Sequence, residues 1–288
     1  MMKHDGLFLR RLAMAGASRG PAALLRAAPP FFGTLFWALR PEQRRGVRRN
    51  LARIVGPRSR FASLPDEVAT FVAFARSFTE GMAALGPRAD EVTLEVEGRD
   101  VLAAVLAAGT GCIFATAHTS SFEVAGAALH RTLGIDVVMA MRAEANDAAR
   151  ALSDALRARA GLVVEHVGDD PLAALGLARH LRNGAVVGLQ VDRLPRGVRG
   201  LPVTLFGEPA ALPMGPFALA RATGAPIVPV FTRRTGFLRA VVRAHPAIHI
   251  ERRASRDALA SAAASVATAL EAWIRAAPTE WLDWGERR

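Results

Sequence analysis

Ile113-Phe114-Ala115-Thr116-Ala117-His118-Thr119-Ser120-Ser121-Phe122-Glu123 is the stretch from which the fold is read. It begins as a short apolar run of the kind that forms a buried strand, and it stops at a histidine. An Ala/Leu-rich helical pattern then starts, from Val124 to Leu133. A strand that ends in His and feeds a helix sets the imidazole at the carboxyl edge of a sheet, where open α/β folds bind ligands. With the helix starting near Ser120, Glu123 falls in its first turn. Two readings of Glu123 follow. Its carboxylate reaches back to one ring nitrogen of His118 and leaves the other free as a base. Alternatively, Ser120-x-x-Glu123 is a capping box that only satisfies backbone donors.

The flanks of this stretch settle the fold class. Strand-like segments at residues 92–96, 111–117, 135–141, 162–167 and 185–191 alternate with helical ones at 100–108, 122–133, 145–160 and 171–181. Beyond residue 200 the pattern gives a short strand at 203–206, a helix at 212–223, strands at 227–232 and 238–243, and a closing helix at 256–276. This alternation predicts an α/β domain with a mostly parallel central sheet flanked by helices. The domain runs over residues 86–288, after a break at Gly86-Pro87.

Residues 1–85 read differently, as an N-terminal basic and apolar helical segment. The chain has 288 residues and a formal net charge of +11. Thirteen basic and two acidic residues lie in the first 60, and the remaining 24 basic and 24 acidic residues cancel. The whole excess therefore sits in the first fifth of the chain and calls for a polyanionic partner, an anionic membrane surface above all. The apolar stretch 27–39 is interrupted by Pro29-Pro30 and is too short to span a bilayer. Phe31, Phe32, Phe36 and Trp37 beside the basic cluster fit a segment lying in the membrane interface; packing on the core accounts for them equally well. A basic helix with Pro41 near its start follows, and then one with Phe71, Phe74 and Phe78 at helical spacing. The segment carries no recognisable nucleic-acid motif, so no nucleic-acid partner is expected.

A single cysteine, Cys112, excludes an intramolecular disulfide framework and reads as a small buried residue rather than a nucleophile. His245 and His249 are four apart, but Pro246 between them argues against a helix presenting both, and no metal is expected. Ser120 and Ser121 lack a Gly-x-Ser-x-Gly frame and read as caps.

Several blocks, taken in order, resemble one family. They are His118-x4-Glu123; Arg40-Pro41 and the Arg-rich run to Asn50-Leu51; and Leu205-Phe206-Gly207-Glu208-Pro209-Ala210 with Gly215-Pro216 and Leu219-Ala220-Arg221. Gly224-Ala225-Pro226-Ile227-Val228-Pro229-Val230 and Pro278-x-x-Trp281-x-x-Trp284 complete the set. Together they are similar to the late, lauroyl/myristoyl-type lipid A biosynthesis acyltransferases, within the glycerolipid and lysophospholipid acyltransferase superfamily. The glycerol-phosphate type Phe-Pro-Glu-Gly signature is absent, and Phe122 stands where that branch usually has Trp.

The resemblance implies transfer of a fatty acyl group from a thioester, on acyl carrier protein or coenzyme A, to a hydroxyl of a membrane lipid such as a lipid A precursor. The thioester is a co-substrate, and no other cofactor is implied. His118 is then the general base, with Glu123 fixing its tautomer. Arg142, Asp192, Arg193, Arg196 and Arg199, at strand ends and in the basic loop after residue 191, are the candidate substrate-binding residues. The resemblance also implies a peripheral or monotopic place on the cytoplasmic face of the inner membrane. A lysophospholipid or aminolipid as acceptor, and a non-catalytic lipid-binding relative of the same fold, are the alternatives.

Overall fold

The structure is a computed structural model. It describes residues 16, 20–86, 88–142, 147–159, 161–167, 173–195 and 197–284. A seven-stranded sheet has the order β1-β9-β8-β2-β5-β3-β4. Its strands are β1 (Thr93–Glu97), β2 (Cys112–Thr116), β3 (Val137–Met141), β4 (Val163–His166), β5 (Val186–Gln190), β8 (Ile227–Gly236) and β9 (Arg239–Ala244). β8, β2, β5, β3 and β4 run parallel, while β9 returns antiparallel to β8 and β1 lies parallel to β9.

β2 sits at the centre, and its sequence shows why. Cys112, Ile113, Phe114 and Ala115 are all buried, the continuous apolar run of a strand covered on both faces. Ile113 and Ala115 pack on one side, with α9 (Arg256–Ala276) and α8 (Gly215–Thr223). Cys112 and Phe114 pack on the other, with α5 (Phe122–Leu133). The small residues Ala125, Ala127 and Ala128 let α5 lie close to the sheet. α4 (Arg99–Ala107), α6 (Asp147–Arg159) and α7 (Ala173–Arg182) make the remaining crossovers. The predicted α/β class and mostly parallel sheet are present.

Two expected elements differ, and the first lies after β5. Residues 200–213 form a separate antiparallel hairpin, β6 (Gly200–Leu205) and β7 (Glu208–Pro213), where the pattern suggests a short strand followed by the start of a helix. Phe206 and Gly207 make its two-residue turn, with φ of +58° and +79°. Left-handed torsions at both central residues match the twist of the flanking strands. Phe206 tolerates its torsion because its N–H donates to Glu271 Oε2 at 2.6 Å and its ring packs on Trp281.

The N-terminal helices are α1 (Ala22–Leu39), α2 (Pro41–Val55) and α3 (Arg60–Ala84). Pro29-Pro30 does not interrupt α1, contrary to the sequence expectation: the helix is continuous over 18 residues. Packing outweighs the lost backbone bonds. Gly33 meets the α3 backbone so closely that a Cβ there would lie 2.7 Å from Val72 Cα. By length and composition α1 is apolar enough to cross a bilayer. Phe36, Phe71 and Phe74 gather around Trp284, at ring-centroid distances of 5.8, 4.8 and 4.6 Å, and join these helices to the end of the chain.

Candidate active site

His118 follows the carboxyl end of β2, and the parallel register decides what faces it. β2 pairs with β5 so that Thr116 stands opposite Gln190, and His118 and Asp192 each follow two residues later. Nδ1 of His118 lies 2.8 Å from Asp192 Oδ1. The backbone N–H of His118 donates to Oδ2 of the same carboxylate at 3.1 Å. The indole N–H of Trp281 donates to Oδ2 as well, at 2.9 Å. An anionic carboxylate on Nδ1 assigns the ring proton to that nitrogen. The Nε2 lone pair is then available as a base.

Asp192 is buried. Burial alone would raise its pKa. The nearby His118 ring, the charge of Arg193 and the Trp281 hydrogen bond outweigh it and hold the carboxyl well below the usual range. The pair is thus an ionised, buried carboxylate on a quarter-exposed imidazole.

This geometry corrects the expected partner of His118. Glu123 does not reach the ring. Its carboxylate turns to α6, where Arg157 Nη2 donates to Oε1 at 2.8 Å, and lies against α3 at Gly81. A Cβ at residue 81 would come within 2.7 Å of Glu123 Oε2, so glycine there makes room for the ion pair. The physical reason is direction. Glu123 sits in the first turn of α5 and turns to α6 and α3, whereas Asp192 follows β5, the strand paired with β2. The capping box is not formed either. Ser120 Oγ donates to Glu280 Oε2, and Ser121 occupies the N-cap position without a side-chain cap bond.

The loop carrying His118 is held from several directions. Ser121 adopts a left-handed φ of +61°, and its N–H donates to Ser77 Oγ at 3.1 Å. Ser120 N–H donates to Glu280 O at 2.9 Å, and Leu282 N–H donates to His118 O at 2.7 Å. Thr232 Oγ1 donates to Ser120 O at 2.9 Å. A strained torsion survives where its surroundings over-determine it, and such torsions gather at active sites. Ser121 Oγ is buried without a hydrogen-bond partner.

The expected substrate-binding residues scatter. Asp192 is bonded to His118 and to Trp281. Arg193 is tied to the tail, through Nε to Asp283 Oδ1 at 2.9 Å and Nη2 to Leu282 O at 2.7 Å. Arg142 is exposed just past β3, on the same sheet edge as His118, and Arg199 is exposed just before β6. Arg196 lies outside the described residues. Among the described residues no group of three or more His, Cys, Asp or Glu side chains gathers as metal ligands. Burial pushes the Cys112 thiol up to about 12, which leaves it protonated and inert.

Sequence reasoning gave no role to Trp281, Arg157 or Gly81. Trp281 carried a signal in the Pro-x-x-Trp ending; Arg157 and Gly81 carried none, because their roles depend on which helices meet.

The structure thus sets a His–Asp pair at the carboxyl edge of the central strands of an α/β fold, the edge at which such folds bind ligands. The chain belongs to the bacterial lipid A biosynthesis acyltransferase family, whose model matches residues 6–288. It is similar to a phosphatidylinositol mannoside acyltransferase of Mycobacterium tuberculosis, at 32% identity over 196 residues, 66% of this chain and 60% of that protein. A protein of the same name from Mycolicibacterium smegmatis is 30% identical over 200 residues, 66% of this chain and 62% of its own length. The matches thus span about three fifths of these relatives.

Proposed function

We propose that the protein transfers a fatty acyl group from a thioester to a hydroxyl of a membrane glycolipid, with His118 as general base and Asp192 as the residue that orients it. The observation that carries this reading is the 2.8 Å contact between His118 Nδ1 and a buried, ionised carboxylate. An alcohol is a weak nucleophile and needs its proton removed as it attacks. Nε2 of His118 takes that proton while the oxygen bonds to the thioester carbonyl carbon. The tetrahedral intermediate collapses by breaking the carbon–sulfur bond, and the imidazolium returns its proton to the departing thiolate. The first turn of α5 offers backbone N–H groups to the oxyanion. Glu123, through Arg157, holds the start of that helix.

The acceptor follows from chemistry shared by the family and the relatives. Lipid A and phosphatidylinositol mannoside are both sugar-bearing membrane lipids. A lipid A-like acceptor is the family reading, and a mannosylated phospholipid is the reading from the relatives. Acyl carrier protein and coenzyme A are the two donors the chemistry admits. Arg142, exposed just past β3 on the sheet edge that carries His118, suits their negative charge.

Residues 1–85 act in this reading as the membrane-association segment of the 86–288 transfer domain. Phe31, Phe32, Leu39 and Phe61 are all more than half exposed and supply apolar surface. Arg40 and Arg44 stack on Phe36 and Trp37 beside it. Such a surface suits an anionic membrane, on the cytoplasmic side where acyl thioesters are made.

The test is mass spectrometry of total lipids from cells with and without the protein. The reading expects one glycolipid to lose a single acyl chain in the deletion and regain it on complementation. An unchanged glycolipid profile, with altered lysophospholipids instead, would contradict the acceptor class.

A further inference from the structure

Trp281 directly follows the short turn Pro278–Glu280, 89 residues from Asp192, yet its indole is part of the His118 centre. The segment that carries it is anchored on both sides. Leu282 N–H donates to the carbonyl of His118, and Thr119 and Trp281 form an isolated antiparallel bridge. Further out, Asp283 O accepts from Asn50 Nδ2 of α2 at 2.5 Å, and Trp284 stacks in the Phe36–Phe71–Phe74 cluster. The indole ring itself is buried against Phe206. A side chain held this firmly keeps its N–H aimed at one carboxylate oxygen.

We infer that Trp281 is a positioning residue that sets both the orientation of Asp192 and, through it, the basicity of His118. This deepens the reading of His118 as general base and rests on it. Oδ2 of Asp192 accepts from the indole and from the backbone N–H of His118, so Oδ1 is left turned to Nδ1. The indole also takes up part of the carboxylate charge. Without it, that charge would fall more heavily on the imidazolium, favour the protonated ring and withhold the base.

The charge of Arg193 also acts on Asp192. Arg193, on the loop after β5, pairs with Asp283. Glu280 accepts from Ser120 Oγ and from the Arg234 N–H.

The test replaces the donor but keeps the ring. Trp281→Phe is assayed by thiol release from palmitoyl-coenzyme A with a phosphatidylinositol mannoside as acceptor, across pH. The inference expects kcat to fall about tenfold, the scale of a hydrogen bond to a charged group. It also expects the acid limb of the profile to move to higher pH, with the donor KM unchanged. A profile superimposable on that of the wild type would overturn it. A second measurement needs no variant at position 281 and no substrate. In the NMR spectrum of the wild-type protein, the Trp281 indole N–H signal should shift with the same midpoint as the His118 ring protons. An indole signal constant throughout that titration would overturn the inference. Full activity in His118→Ala would instead sink the general-base reading, while the indole titration would still report whether the coupling exists.

Discussion

At the residue scale, His118 and Asp192 are 74 positions apart in sequence and 2.8 Å apart in space. The sequence marked His118 through its place at the end of an apolar run. It also marked Asp192 at a strand end, as a substrate contact and not as the neighbour of His118. Strand order cannot be read from a single chain, and only the pairing of β2 with β5 brings these two residues face to face. Glu123 had the opposite fate. Its proximity in sequence suggested contact, and helix direction denied it. Two expected outcomes follow. Asp192→Asn removes the anion that fixes the tautomer, and kcat should fall roughly 10³-fold with little change in acceptor KM. The same variant tests stability. The Asp192 carboxyl is depressed on folding, so its contribution is present above the usual Asp value of about 3.9 and is lost as pH falls below it. Urea midpoints measured from neutral pH down into that acid range should fall steeply for the wild type and less steeply for Asp192→Asn. Parallel curves would mean that the carboxylate is not stabilised on folding.

At the scale of elements, the β-α alternation was legible because each crossover helix carries an apolar stripe and each inner strand an unbroken apolar run. The β6–β7 hairpin was not. Pro209 and Pro213 obscure its second strand, and the left-handed Phe206 in its turn is no sequence signal for a hairpin. Helix α1 was misjudged for a related reason: two prolines argue for a break, but contact with α3 decides the outcome. That contact makes a prediction. Gly33→Ala would push a methyl group into the α3 backbone, where no flexible side chain can yield. Overpacking of this kind costs about 1–3 kcal/mol, so the melting temperature should drop by several degrees. An unchanged melt would mean that α1 and α3 are not packed this closely. Glu123→Gln should also lower the melt, because it leaves Arg157 with a neutral partner at a mostly buried site. Its loss of activity should be smaller than that of His118→Ala.

On the scale of the whole molecule, the excess charge and most of the exposed large hydrophobic residues among those described fall in the first 85 residues. The excess of +11 in the first 60 residues was plain in the sequence. Whether Phe31 and Phe32 faced the core or the outside was not, since a helical stripe looks the same in both cases. The structure leaves Phe31 66% and Phe32 59% exposed, while Phe36 turns inward to Phe71 and Trp284. Binding to phosphatidylglycerol vesicles should therefore weaken as salt rises, because exposed charges are screened over about 10 Å at 0.1 M. Replacing Phe31 and Phe32 with Ser should weaken it at every salt concentration. Equal binding to neutral and anionic vesicles would contradict this account of the segment.

The account turns on one imidazole acting as the base in acyl transfer. The most direct measurement is the rate at which purified His118→Ala moves a labelled acyl group from its thioester to the lipid acceptor. It is compared with wild type at matched protein concentration and with the thermal melts recorded alongside. We expect the rate to fall by about 10³-fold or more, with a melt close to that of the wild type, because the ring is removed from a loop that its own backbone and the tail continue to hold. Transfer at an undiminished rate by a folded His118→Ala protein would contradict the account.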